Sequence, residues 1–278
     1  MKKPAMHGLS LVEAIERLEI HDHLCLIYEG REEQFAAIVP FFKAGLARRE
    51  KCVYIADENT SQGVLDTLRR EIMDVDSALA SGALSVITKR DAYLKQGYFE
   101  PDSMIRLLKE TVESAKEQGF SGLRVTGEMT WALGDEPGVE GLVEYEAKLN
   151  YFLPQNDILV ICQYSAKRFS PEILIDIIRT HPIVIYGNTV CENFYYVPPD
   201  EFLVANQPGV EARRLLKNIL DREQAEVELR KAYDELRDKA DRLELFHEVT
   251  VGRELEMVRL KKEVNALLAE LGRPGKYE

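Results

Sequence analysis

The sequence predicts an α/β protein in which a mostly parallel sheet is covered by helices on both faces and is followed by a long helical tail. Three observations predict it. To about residue 205, short apolar runs alternate with amphipathic stretches of helical period. Those runs are continuously apolar, as strands buried on both faces must be. From about residue 209 to 271 the chain is charged, lacks proline and holds Gly252. The two regimes meet between Val197-Pro198-Pro199 and Pro208-Gly209, where prolines punctuate the chain.

His23 to Tyr28 reads as the first strand, and Glu32 to Ala47 as a helix with Phe35, Ile38, Val39, Phe42 and Leu46 on one face. Cys52 to Ala56 is the next strand. Ser61, a plausible N-cap, opens a helix to about Met73. Leu84 to Ile87 is a short strand. A helix from Asp102 to Gln118 is closed by Gly119. Strands follow at Leu123 to Thr126 and Asp157 to Cys162, with helices at Gly141 to Phe152 and Pro171 to Arg179. Ile183 to Tyr186 and a segment near Phe194 to Val197 form a closing hairpin across Gly187-Asn188. In the tail, Leu229, Leu236 and Leu243 repeat at seven residues, and Met257, Leu260, Val264, Leu267 and Leu271 in steps of three and four. The two stretches read as out of phase, so a break or stutter is expected at Thr250-Val251-Gly252. Self-association through a coiled coil is the leading expectation for this tail, with a hairpin folded back on the body as the alternative.

No apolar run reaches the roughly 18 residues of a membrane span. The basic start, Met1-Lys2-Lys3-Pro4-Ala5, lacks an apolar signal core, so a cytoplasmic protein without membrane contact is expected. Net charge is −12, and the fifteen Lys/Arg and sixteen Asp/Glu of residues 211–278 nearly cancel. The acidic charge therefore sits on the body, which argues against nucleic acid as a partner. Cys25, Cys52, Cys162 and Cys191 form no CxxC pair and read as reduced thiols in a reducing compartment.

The segment Leu123-Arg124-Val125-Thr126-Gly127-Glu128-Met129-Thr130-Trp131 reads as a buried strand running out into a polar and aromatic end. In open α/β sheets ligands bind at such carboxyl ends, so Glu128 and Trp131 are candidate pocket residues. Tyr164 also follows a strand end. The junction Tyr28-Glu29-Gly30-Arg31-Glu32-Glu33-Gln34 has one glycine and three carboxylates where a phosphate loop would carry glycines and Lys-Ser/Thr. No Gly-x-Ser-x-Gly occurs and no carboxylate pair stands out, so no enzyme is expected. His23, Cys25, Cys52, Cys162 and His181 could converge and suit a soft metal. Their spacing is too scattered to nominate a site, and no metal or cofactor is expected.

Several segments together resemble the MEDS domain, the methanogen/methylotroph DcmR sensory domain. They are His23 to Tyr28, Pro40 to Leu46, Gly122 to Trp131, Tyr145-Glu146, Cys162-Gln163-Tyr164 and Arg179-Thr180-His181-Pro182. The likeness covers roughly residues 7–203, with 209–271 as a separate helical tail. It implies a RecA-like, circadian-clock-ATPase-like fold without its phosphate loop, and a sensor of small hydrocarbon derivatives. Strand-end logic and this resemblance make Glu128, Trp131, Cys162, Tyr164 and His181 the candidate ligand-binding residues. The expected protein is a non-catalytic cytoplasmic signal-transduction module that dimerises through its tail and acts on a partner protein. The alternatives are a nucleotide-binding protein without hydrolysis and a ligand-free scaffold acting through the coiled coil. On the sensor reading, Trp131→Ala should remove the response and keep the fold.

Overall fold

A computed structural model describes residues 8–72, 74–204 and 208–277. The basic start and the Met73 helix end lie outside the described residues, as does part of the predicted boundary. The chain divides into two compact units, Met1–Val210 and Glu211–Glu278.

Seven strands build the sheet of the first unit: β1 (His23–Tyr28), β2 (Lys51–Ala56), β3 (Leu84–Thr88), β4 (Leu123–Glu128), β5 (Ile158–Ser165), β6 (Ile183–Tyr186) and β7 (Thr189–Glu192). Their order is β3-β2-β4-β5-β1-β6-β7. Every neighbouring pair is parallel except β6 with β7. This is the mostly parallel α/β sheet with helices on both faces that the sequence predicts.

Strand alternation sorts the side chains into two cores. Leu24, Leu26, Tyr54, Leu159 and Ile161 join the core that includes α1 (Leu11–Glu16), α2 (Arg31–Ala47), α3 (Ser61–Glu71) and α4 (Val75–Ala80). Cys25, Ile27, Val160, Cys162 and Tyr164 join the core that includes α5 (Pro101–Glu117), α6 (Leu142–Phe152) and α7 (Pro171–Thr180). A short α8 (Pro199–Phe202) follows β7.

Several boundaries differ from expectation, each for a local reason. Thr60, not Ser61, caps α3, its hydroxyl accepting from the Gly63 N–H. The strand after β6 is Thr189–Glu192 rather than 194–197. Gly187 and Asn188 both take positive φ, 55° and 60°, and a two-residue turn with this twist pairs Tyr186 directly with Thr189. β5 runs on to Ser165 and β4 to Glu128. These extensions put Cys162 and Tyr164 inside β5 and make Glu128 the last residue of β4.

The second unit contains nearly all of one helix, α9 (Pro208–Glu270), which continues unbroken through Thr250-Val251-Gly252. It is neither interrupted nor folded into a hairpin. The expected change of phase is also corrected. Leu229, Leu236, Leu243, Thr250, Met257, Val264 and Leu271 form one seven-residue series, in which only Thr250 is polar. What shifts is the companion row, from Tyr233 and Ala240, four residues on, to Leu260 and Leu267, three residues on. Leu229, Leu236 and Leu243 are each about 70% exposed on this helix.

Candidate functional site

The expected site residues are all buried, and they do not share one lining. Alternation along the strands separates them. Glu128 pairs in register with Gln163, while Gly127 pairs with Cys162, so Glu128 and Cys162 project from opposite faces of the sheet.

On the α2 and α3 face, Glu128 is saturated. It accepts from the Asp57 and Asn59 backbone N–H groups, both at 2.9 Å, from Asn59 Nδ2 at 2.7 Å, and from the Tyr54 hydroxyl. Gln34, Gln163 and Thr126 extend this network, with Gln34 donating to Gln163 at 2.7 Å and Gln163 to Thr126 at 2.8 Å. Arg124 pairs instead with Glu50 and lies 5.0 Å from the Phe41 ring centroid. The junction before α2 is closed by its own side chains. Glu33 accepts from the Glu29 N–H at 2.8 Å, and Arg31 reaches Asn59 at 2.6 Å. An anion at this helix start would meet Glu33 where a phosphate loop offers amides.

On the other face, Trp131 is fully buried against Tyr93 and Phe99, with ring centroids 4.8 and 4.5 Å away. Gly127 is required here. A Cβ on it would lie 2.0 Å from the Tyr93 hydroxyl oxygen.

Beside this aromatic group, Cys162, Tyr164 and His181 do converge, around Glu146 of α6. His23 Nε2 and His181 Nε2 lie 3.2 and 3.3 Å from Glu146 Oε2. The Cys162 thiol donates to the same oxygen at 3.3 Å, and the Tyr164 hydroxyl donates to Oε1. The two imidazoles lie 4.1 Å apart between centroids. Burial resists ionisation of Glu146, but His181 and then His23 outweigh it and hold its carboxyl well below the usual carboxylate range. Burial, and then repulsion from His181, push His23 down. Burial, reinforced by the charge of Glu146, pushes the Cys162 thiol and Tyr164 hydroxyl up. The donor atoms of His23, Glu146, Cys162 and His181 all lie within 4.8 Å of one another, and this set could hold a metal ion.

Sequence reasoning nominated three members of this cluster and weighed His23, but missed Glu146. A signal existed. Leu142, Tyr145, Leu149 and Phe152 place an apolar stripe on α6, and Glu146 interrupts it one residue after Tyr145. Two described cavities lie elsewhere. A groove of about 390 Å³ is lined by Arg69 to Ile72 and Asp74 to Ser77. A crevice of about 50 Å³ includes Tyr93, Tyr98 and Met104.

Residues 22–182 match the family described as MEDS, the methanogen/methylotroph, DcmR sensory domain. The chain belongs to the MEDS family. Glu146 and the three residues around its Oε2, His23, Cys162 and His181, lie within the MEDS match. A relative, the transcriptional repressor DcmR of Methylorubrum extorquens, is 30% identical over 162 residues. Those residues are 58% of this chain and 58% of DcmR, so the chain spans little more than half of that relative. Among solved structures, the flagellar accessory protein FlaH of Methanocaldococcus jannaschii is similar at TM-score 0.44 and 14% identity. That match covers 62% of this chain and 76% of FlaH. The KaiC-like protein PH0186 of Pyrococcus horikoshii is similar at TM-score 0.42 and 18% identity, covering 59% of this chain and 70% of PH0186.

Proposed function

We propose that this chain is a non-catalytic sensory module of the cytoplasm. Its MEDS body takes up a small ligand at the cluster around Glu146, and its tail self-associates and passes the bound state to a partner protein. The observation that carries this reading is how the cluster is attached to the segment leaving the body. Asn193 Nδ2 donates to the Ile178 and His181 carbonyls at 2.6 and 2.8 Å. The Val197 N–H donates to the Arg179 carbonyl at 2.7 Å. Tyr151 of α6 donates to Asp200 of α8. A shift of α6 or α7 on ligand uptake therefore pulls directly on residues 193–200, from which the chain runs on into α9. A regulatory role agrees with the family, and the described residues contain no helix long and apolar enough to cross a membrane.

A thermal-shift screen of the full chain tests it, with divalent metals, small halogenated and methylated organics, and adenine nucleotides, followed by sedimentation with each hit. A ligand at about 100 times its dissociation constant should stabilise by about 2.7 kcal/mol, and a true signal should also change the sedimentation of the chain. A shift with ATP alone would favour nucleotide binding without hydrolysis, against the carboxylate of Glu33. The exposed leucines of α9 equally favour a scaffold. That reading gains if no compound shifts the body while the chain self-associates.

A further inference from the structure

We infer that His23, Glu146, Cys162 and His181 form a four-coordinate site for a divalent transition-metal ion, with zinc as the best-fitting occupant. The inference rests on reading this cluster as the ligand site of the body, and it names the ligand.

Four of the six donor–donor separations match the edges of a coordination tetrahedron, and all six lie within 4.8 Å. Metal–ligand bonds of about 2.0–2.3 Å in a tetrahedron set donor–donor edges of about 3.3–3.8 Å. The four separations described here are 3.2, 3.3, 3.3 and 3.8 Å, for His23–Glu146, His181–Glu146, Cys162–Glu146 and Cys162–His23. The donors come from β1, α6, β5 and the end of α7, so the whole fold places them and no sequence motif does.

The hydrogen bonds turn both imidazoles so that each Nε2 is presented to the same point. His181 Nδ1 lies 2.7 Å from the Ile177 carbonyl oxygen, which only accepts, so Nδ1 carries the proton. Asn150 commits its amide N–H groups to the Thr180 and Glu146 carbonyls, which turns its oxygen to His23 Nδ1 at 3.1 Å and fixes that proton as well. With Nδ1 of each ring so engaged, both Nε2 atoms face Glu146 Oε2, at 3.2 and 3.3 Å. His181 Nε2 is fully buried and has no hydrogen bond. A divalent ion among these donors would be charge-balanced. Two neutral imidazoles, one carboxylate and one thiolate neutralise the +2 charge, and the Cys162 S–H proton leaves to solvent as the metal–sulfur bond forms.

The outer partners agree. The far nitrogens of both histidines and the second oxygen of Glu146 are each held by a hydrogen bond, from Ile177, Asn150 and Tyr164 respectively. Metal-ligating histidines and carboxylates are oriented in this way. Mixed nitrogen, sulfur and oxygen donors select zinc and its late first-row neighbours over magnesium or calcium.

Because the site is buried, the full chain should be produced in zinc- or cobalt-supplemented medium and its metal content measured after exhaustive dialysis. The expected result is a single retained ion per chain. The cobalt form should show a thiolate-to-metal charge-transfer band and the strong visible bands of a four-coordinate ion. X-ray absorption on the unmutated zinc form should show one sulfur at about 2.3 Å and imidazole scattering. Cys162→Ser should abolish the charge-transfer band and weaken retention about tenfold or more, whereas Cys25→Ser should keep both. No retained ion, a zinc spectrum without sulfur, or a cobalt band that survives Cys162→Ser would overturn the inference. X-ray absorption needs no variant and decides the matter even if Cys162→Ser misfolds. If the ion is held as expected but loaded and metal-stripped chains sediment alike, the metal site stands and the sensory reading of it fails.

Discussion

Trp131→Ala should be a stability lesion, and the size of the loss follows from its surroundings. Trp131 is 0% exposed, enclosed by Tyr93 and Phe99, and shares their core with Tyr145. Truncating a buried tryptophan typically costs about 3–5 kcal/mol, because the lost transfer energy is joined by the cavity left behind. That is a large share of the roughly 5–15 kcal/mol by which a domain is stable. With a urea dependence of about 2 kcal/mol per molar, the midpoint should fall by about 1.5–2.5 M. Near-UV circular dichroism is the suitable assay, since it follows the buried tyrosines after the sole tryptophan is gone. A midpoint lowered by less than about 0.5 M would refute the packing argument. Trp131→Phe should cost under about 2 kcal/mol, because it keeps a ring and removes an indole N–H that has no acceptor. This reverses the expectation that Trp131→Ala separates signalling from folding, and Trp131→Phe is the variant that can.

Gly127→Ala should destabilise by about 1–3 kcal/mol through the clash with the Tyr93 hydroxyl. Adding Tyr93→Phe should recover part of that loss in thermal denaturation, and equal losses in the single and double variants would refute the contact. Arg124→Met should cost about 3–5 kcal/mol, because it strands the buried Glu50 carboxylate. Arg124→Met with Glu50→Gln should cost less by the same assay. Leu236→Glu with Leu243→Glu should make the chain monomeric in analytical ultracentrifugation and leave the near-UV spectrum of the body unchanged. If the mass stays oligomeric, the seven-residue series is not the interface. Asn193→Ala should leave metal retention intact and blunt any ligand-dependent change in sedimentation, and an undiminished change would remove Asn193 from the coupling.

The fold was legible because its strands are apolar runs and its helices amphipathic, and both signals are local. The ends of strands were not. Residues 163–165 carry Gln163 and Ser165, polar side chains that read as a loop, yet both are buried and the strand continues through them. Three residues of error moved Cys162 from a strand end to mid-strand and Glu128 from a loop onto the sheet. Period two then put Glu128 on the face opposite Cys162. The cluster around Glu146 was half legible. Cys162, Tyr164 and His181 drew attention singly. Their convergence depends on β5 lying beside β1 and on α6 crossing that face, facts of topology that no spacing in the chain encodes.

The same topology constrains how a signal could leave the body. A ligand shifts an equilibrium only by its differential affinity for two states, and a swing from mostly off to mostly on takes about 5.5 kcal/mol. On the proposed reading, an ion held between these donors would set the separations of α6, α7 and β5. α6 and α7 are also the helices that hold the exit segment, through Tyr151 with Asp200 and through Asn193 and Val197 with the end of α7. The donors contributed by the sheet are held in parallel ladders, Cys162 on both sides and His23 on the β5 side. On that reading relaxation falls on the helices rather than the strands, and α6 and α7 are the helices bonded to residues 193–200.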